Sequence, residues 1–192
     1  MIGQSSLKEM LFHDDVICEK CRNSFEKNTE DEQFQGYTLH ADYVYNEAFS
    51  SVLIQYKELL DEALKDVFLY HNRKKIKRMY KGYTLLLLPS TQKAYERRGF
   101  SHLEKMVECL DLPYMQPFVK LDNVKQKTLN LDQRKMITHR IALKEGVKLP
   151  KNIVLFDDVV TSGSTISGAL NAIDAKNHNI CIHVVAKVPI ER

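Results

Sequence analysis

Residues 152–170 read NIVLFDDVVTSGSTISGAL. The apolar run 153–156 has the length and composition of a strand buried on both faces, as in a parallel sheet. Two adjacent carboxylates, Asp157 and Asp158, end it. Thr161, Ser162, Gly163, Ser164 and Thr165 then open a helix whose apolar positions, Ile166, Ala169, Leu170 and Ile173, fall at three-and-four spacing. In an open parallel sheet, ligands bind beyond the carboxyl ends of the strands, where this loop must lie. Hydroxyls and a glycine at a helix start supply side-chain donors and unpaired N–H groups suited to a phosphate. The lysine and spacing of a Walker loop are missing, so nucleoside triphosphate hydrolysis is not the implied chemistry. Either half alone could be a turn or a helix cap. Joined at this spacing, they point to a sugar phosphate, with the carboxylates accepting from ribose hydroxyls or helping to hold a divalent cation.

Working outward, the same alternation recurs. Residues 83–88, YTLLLL before Pro89, form a second buried-strand run, and 180–188 a third. Between them, Phe100, Leu103, Met106, Val107 and Leu110 keep helical spacing. Residues 114–118 suggest a short strand broken by Pro117, and 131–143 another helix. From Val52 the apolar positions 52/53, 56, 59/60, 63/64 and 67/68 predict one long helix. Before it, Tyr37, Leu39, Ala41, Tyr43 and Tyr45 alternate at period two, a strand or hairpin whose tyrosines serve packing. Strands separated by helices imply an α/β fold with a doubly wound, mainly parallel sheet. We divide the chain into a small N-terminal segment, 1–45, and a main domain, 46–192.

The chain has 192 residues, 44% of them apolar and 28% charged, with 7 Gly and 5 Pro, which excludes disordered and fibrous classes. No run approaches the roughly 18 apolar residues of a membrane span. The N-terminus lacks the basic-then-apolar pattern of a secretory signal, so a cytoplasmic location is expected. The net charge of +3 is unevenly spread: residues 1–40 carry four basic and eight acidic side chains (−4), and the remainder twenty-four and seventeen (+7). Six cations, Arg73, Lys74, Lys75, Lys77, Arg78 and Lys81, fall within nine positions beside Tyr80. They read either as a solvated linker or as a strip that contacts a nucleic-acid backbone while Tyr80 stacks a base. Cys109 and Cys181 read as small core residues, and His102 as a surface residue. Cys18 and Cys21 form a lone CxxC, which supplies two of the four ligands a structural zinc needs. His13 and His40 could complete the set, but zinc is not expected.

The Asp-Asp-x-x-Thr-Ser-Gly-x-Thr pattern resembles the phosphoribosyl pyrophosphate (PRPP) signature of type I phosphoribosyltransferases. Within that superfamily the chain is similar to the ComF family of competence proteins. The matching residues are Tyr56-Lys57, Leu88-Pro89-Ser90, Arg97 through His102, Gln126, Leu129, Arg134 and the signature itself. The resemblance implies that Asp157 and Asp158 face the ribose hydroxyls and that residues 161–165 hold the 5′-phosphate. It also implies that Pro89, Ser90 and Thr91 form the turn that receives pyrophosphate, aided by Arg97 and Arg98. In active relatives a nucleophile displaces magnesium-bound pyrophosphate from C1 of the sugar. The family further implies a role with single-stranded DNA in natural transformation, beside a DNA-translocating competence protein. The N-terminal segment would be a hood or a degenerate zinc-ribbon-like module. An active phosphoribosyltransferase and a non-enzymatic DNA-interaction module on the same fold are the alternatives.

Overall fold

The computed structural model describes residues 16–120 and 141–189. The chain begins with a short helix α1 (Glu19–Asn23), the hairpin β1 (Glu32–Phe34) and β2 (Tyr37–Val44), and α2 (Glu47–Glu58). After a 3-10 segment, Glu62–Val67, come α3 (Arg73–Met79), β3 (Thr84–Leu87), α4 (Gln92–Arg98), α5 (His102–Val107), β4 (Tyr114–Met115) and β5 (Phe118–Lys120). Then follow β6 (Ile141–Leu143), β7 (Asn152–Val160), α6 (Ser164–Ala172) and β8 (Asn179–Lys187).

Six strands form one sheet in the order β1-β2-β8-β7-β3-β4, parallel throughout except for the edge strand β1. This is the expected mainly parallel α/β architecture. The apolar run 153–156 sits at its centre, with Leu155 opposite Leu86 on β3 and Ile182 on β8. Its side chains alternate as a strand's must. Val154 and Phe156 join a cluster with Phe49, Tyr56, Phe68, Ile76, Leu103 and Met106 under α2, α3 and α5. Ile153 and Leu155 join Ile166, Ala169 and Leu170 of α6, and Phe118 and Ile141 of the antiparallel β5–β6 pair, on the opposite face. Helices therefore cover both faces. β1 and β2, on the N-terminal side of the boundary expected at residue 45, are part of this same sheet through the β2–β8 pairing.

Several expectations are corrected. The helix expected to run from Val52 through Phe68 stops at Glu58: Leu60 adopts φ +62°, and the chain restarts as a 3-10 turn. β7 does not end at the carboxylates but pairs with β8 as far as Val160. The basic run 73–81 is not a linker, because Arg73–Met79 is helical and Ile76 and Tyr80 anchor it in the core. Tyr80 is only 2% exposed and donates its hydroxyl hydrogen bond to His183 Nδ1 at 3.0 Å, so it cannot stack a base. Cys109 and Cys181 are half-buried against the first-face cluster, as expected. The helix expected over 131–143 falls largely outside the described residues; its last three residues are the strand β6. No described helix is long and apolar enough to cross a membrane.

Candidate functional site

β3 leads through α4 and α5 to β4 on one side of the sheet, whereas β7 leads through α6 to β8 on the other. Neighbouring strands whose connections diverge leave a crevice at their carboxyl ends, the usual ligand position in such sheets. Here β3 stops at Leu87, with Leu88 N–H still donating to the Phe156 carbonyl at 3.0 Å, while β7 carries Asp157 and Asp158 beyond it.

The β3 side of the crevice is built from local stop and start signals. Thr91 caps α4, its Oγ1 accepting from Ala94 N–H at 3.2 Å. Gly99, at φ +75°, ends that helix, and Ser101 caps α5 by accepting from Glu104 N–H. The two helices meet at this tight corner, which brings Arg98 and His102 together: Arg98 Nη1 lies 2.5 Å from His102 Nδ1. Phe100 packs on Tyr56, whose hydroxyl donates to the His102 carbonyl at 2.8 Å and ties the corner to α2.

Asp158 is the centre of the resulting cluster. Its Oδ2 accepts from Lys57 Nζ at 2.5 Å and from His102 Nε2 at 3.0 Å, and its Oδ1 from Val159 N–H at 2.7 Å. Ser90 Oγ lies 3.4 Å from His102 Nδ1. A guanidinium has no acceptor, so Nδ1 accepts from Arg98 and Nε2 carries the proton donated to Asp158. His102 is thus held as one neutral tautomer. Burial lowers its pKa, outweighing the pull of Asp158. Burial would raise the pKa of Asp158, but Lys57 and the His102 hydrogen bond hold it well below the usual carboxylate range. Asp157 is shifted the other way: burial and the adjacent Asp158 charge push its pKa up to about 8.

Asp157 accepts from the Asp158 N–H at 2.9 Å and also faces the loop after β7. It lines a small hollow of about 30 Å³ with Thr161, Ser162, Gly163, Ser164 and Thr165 at the start of α6. Gly163 has φ +71°, and its bare Cα lies under the ring of Phe34 at the tip of the β1–β2 hairpin. The hairpin is fastened there by Gln35 Nε2 donating to Ser167 Oγ at 2.9 Å and by a Lys187–Glu32 ion pair.

The structure therefore brings Ser90, Arg98 and Asp158 together around His102, and groups Asp157 with residues 161–165. Pro89 and Thr91 flank Ser90, but Arg97 turns away into an ion pair with Glu58. His102, expected on the surface, is 5% exposed. It occupies the apolar face that includes Leu103, Met106, Val107 and Leu110, a periodicity that signals its burial. Lys57 follows Leu53 by four residues on α2, so the same reasoning places it beside the core.

On α3, Lys74, Lys75, Lys77, Arg78 and the following Lys81 are exposed. Lys77 pairs with Asp111, and Arg73 lies over the Tyr70 ring at 3.4 Å. Cys18 and Cys21 are exposed thiols on α1, and His40 Nδ1 lies 2.7 Å from Asp31. No group of three or more His, Cys, Asp or Glu among the described residues could hold a metal ion. His13, Gln126, Leu129 and Arg134 lie outside the described residues.

No family model matches the chain. Two curated relatives do. Competence protein ComFC of Streptococcus pneumoniae (strain ATCC BAA-255 / R6) is 27% identical over 184 residues, covering 85% of this chain and 83% of its own. Competence protein ComFC of Bacillus subtilis (strain 168) is 28% identical over 126 residues, covering 65% of this chain and 52% of its own, so the match spans about half of that relative. These relatives bear out the resemblance to the ComF family. Among solved structures, a hypoxanthine phosphoribosyltransferase from Staphylococcus aureus overlaps 68% of this chain and 76% of its own, with 10% identity and a TM-score of 0.40.

Proposed function

We propose that this chain is a ComF-type competence protein whose crevice binds PRPP and which handles single-stranded DNA during natural transformation. The observation that carries the reading is the convergence, at the carboxyl ends of β3 and β7, of the hydroxyl loop with Asp157 and of Ser90, Arg98, His102 and Lys57 around Asp158. PRPP carries a phosphate at one end of a ribose and a diphosphate at the other. Residues 161–165 suit the first, and the cations with Ser90 suit the second. Magnesium would arrive with the diphosphate and neutralise part of its charge. Among the described residues Asp157 is the site carboxylate that no cation engages, and it would meet either the ion or a ribose hydroxyl. The exposed cations of α3 are the candidate DNA contact, and the relatives' competence names favour that role. A DNA-translocating partner and a cytoplasmic location fit the same reading.

Calorimetric titration of PRPP, with and without magnesium, tests the donor site. Saturable binding by the native protein and its loss in a folded Asp157→Asn variant are expected. No PRPP binding by the native protein would sink this reading.

A second reading, an active phosphoribosyltransferase, is favoured by one feature. A groove of about 410 Å³ opens beside Ser90 and His102, walled by Tyr95, Gln116, Phe118 and Lys144. It has room and aromatic walls for an acceptor base or amine. Acceptor-dependent release of pyrophosphate across a panel of bases and amines would establish it.

A further inference from the structure

Cys18 and Cys21 take no part in the crevice. Cys18 is the N-cap of α1, in extended backbone at φ −67° and ψ 156°, and its carbonyl accepts the first helical bond, from Arg22 N–H at 3.0 Å. An N-cap side chain swings back toward the third residue of its helix, here Cys21. Residues three apart in a helical turn stand about 5–6 Å apart, within the roughly 4.4–6.8 Å between Cα atoms that a disulfide spans. The two thiols are accordingly hydrogen-bonded to each other. Both are exposed.

The described residues do not complete a zinc-ribbon-like module. A structural zinc takes four ligands, and among the described residues no third His, Cys, Asp or Glu joins the pair. Cys109 and Cys181 are half-buried against the first-face cluster, and His40 lies against Asp31. We propose that Cys18 and Cys21 instead form a reversible dithiol–disulfide couple, open to exchange with low-molecular-weight disulfides. The Cys18 thiolate attacks one sulfur of the small disulfide, forms a mixed disulfide and releases one thiolate. Cys21, its proton lost to solvent, then attacks the Cys18 sulfur and expels the second thiolate. Two thiols of the protein are oxidised, and one small disulfide is reduced to two thiols. The couple does not depend on PRPP binding.

The surroundings hold this turn in place while leaving its sulfurs open. Ile17 before it and Phe25 after it pack into the first-face cluster. Arg22 Nη1 donates to the Val67 carbonyl at 2.7 Å, and Asn46 Nδ2 to the Ser24 carbonyl at 2.9 Å, which fastens α1 to the 3-10 segment and to the start of α2. A resolving thiol held beside the attacking one makes the second step effectively unimolecular. The two thiols also differ. Hydrogen bonds from the Cys21 N–H and thiol hold Cys18 below the usual thiol range, whereas the hydrogen bond to Cys18 pushes Cys21 up. The more readily ionised thiol is the one that strikes first.

For the test, the full chain is reduced, freed of reductant, incubated with oxidised glutathione, quenched with N-ethylmaleimide and read by mass spectrometry. The native protein should lose the mass of two hydrogens, localised to Cys18 and Cys21, and regain it with dithiothreitol. Cys21→Ser, which lacks the resolving thiol, should accumulate one glutathione on Cys18. Cys18→Ser should react at Cys21 about tenfold or more slowly at neutral pH. Both positions are exposed, so the variants probe the chemistry rather than the folding. A native pair that stays reduced, or equal rates of adduct formation in the two variants, would overturn the couple. So would one zinc per chain in protein purified without chelator and lost in Cys18→Ser.

Discussion

Gly163 combines a left-handed backbone, φ +71°, with a ring directly above it: a Cβ built there would overlap Phe34. The left-handed conformation costs an ordinary residue about 1–2 kcal/mol, and the far end of a phenylalanine can shift at modest further cost. Gly163→Ala should therefore lower stability by about 1–3 kcal/mol in urea unfolding. Adding Phe34→Ala should relieve the clash between the two side chains without recovering the backbone share, a coupling that a double-mutant cycle measures. Asp157 gives a second expectation at this scale. Its pKa is raised by burial and by Asp158, so it holds its proton at pH values where free carboxylates have lost theirs. A ribose hydroxyl or magnesium ion needs the ionised form. PRPP affinity should rise with pH and level off above about 8, and Asp157→Asn should flatten that part of the profile in calorimetry at constant magnesium. The presence of Asp157 in the site was legible in the sequence, because the strand-carboxylate-hydroxyl loop order is local. The partners of Asp158 were not, because Lys57 and His102 come from helices distant in sequence.

Among the elements, the break in α2 has the clearest energetic signature. An unbroken helix through residue 68 would satisfy the apolar spacing, but Leu60 turns left-handed at φ +62°, and Val67, Phe68 and Leu69 enter the core from the 3-10 segment and the turn after it. Burying those three side chains is worth several kcal/mol, more than the strain at one residue. Leu60 is 44% exposed, so its own side chain contributes little. Leu60→Gly should stabilise the protein by about 0.5–1 kcal/mol, the relief of left-handed strain less the added backbone entropy of glycine. Thermal and urea denaturation would read this gain; a loss would show that the leucine side chain packs more firmly than its exposure implies. Lys57 lies in the last turn of α2, so the position of the break also determines where that amine meets Asp158.

Across the whole molecule, the excess positive charge C-terminal to residue 40 has a defined outlet on α3. Tyr80 and Ile76 anchor this helix inward and leave Lys74, Lys75, Arg78 and Lys81 on the solvent side. If this face binds single-stranded DNA, each neutralised phosphate contributes about −0.7 to the slope of log affinity against log salt. Replacing Lys74, Lys75 and Arg78 with Gln should weaken binding and reduce that slope by about 2 in a fluorescence titration. PRPP affinity should be unchanged. Salt-independent binding, or an unchanged slope in the triple variant, would remove α3 from the DNA role.

The sequence by itself determined the mainly parallel α/β plan, because buried strands and amphipathic helices carry their periods in neighbouring residues. It also determined the hydroxyl loop and its place beyond the end of β7. It mistook α2 for a longer helix and Tyr80 and His102 for exposed side chains, since tertiary packing overrules an apolar period or a polar residue type. Only the tertiary structure decided that Arg98, rather than Arg97, packs against His102 and that Lys57 and His102 surround Asp158. These choices depend on how α2, α4 and α5 pack over one face of the sheet, a long-range geometry that residue spacing within any one segment does not contain.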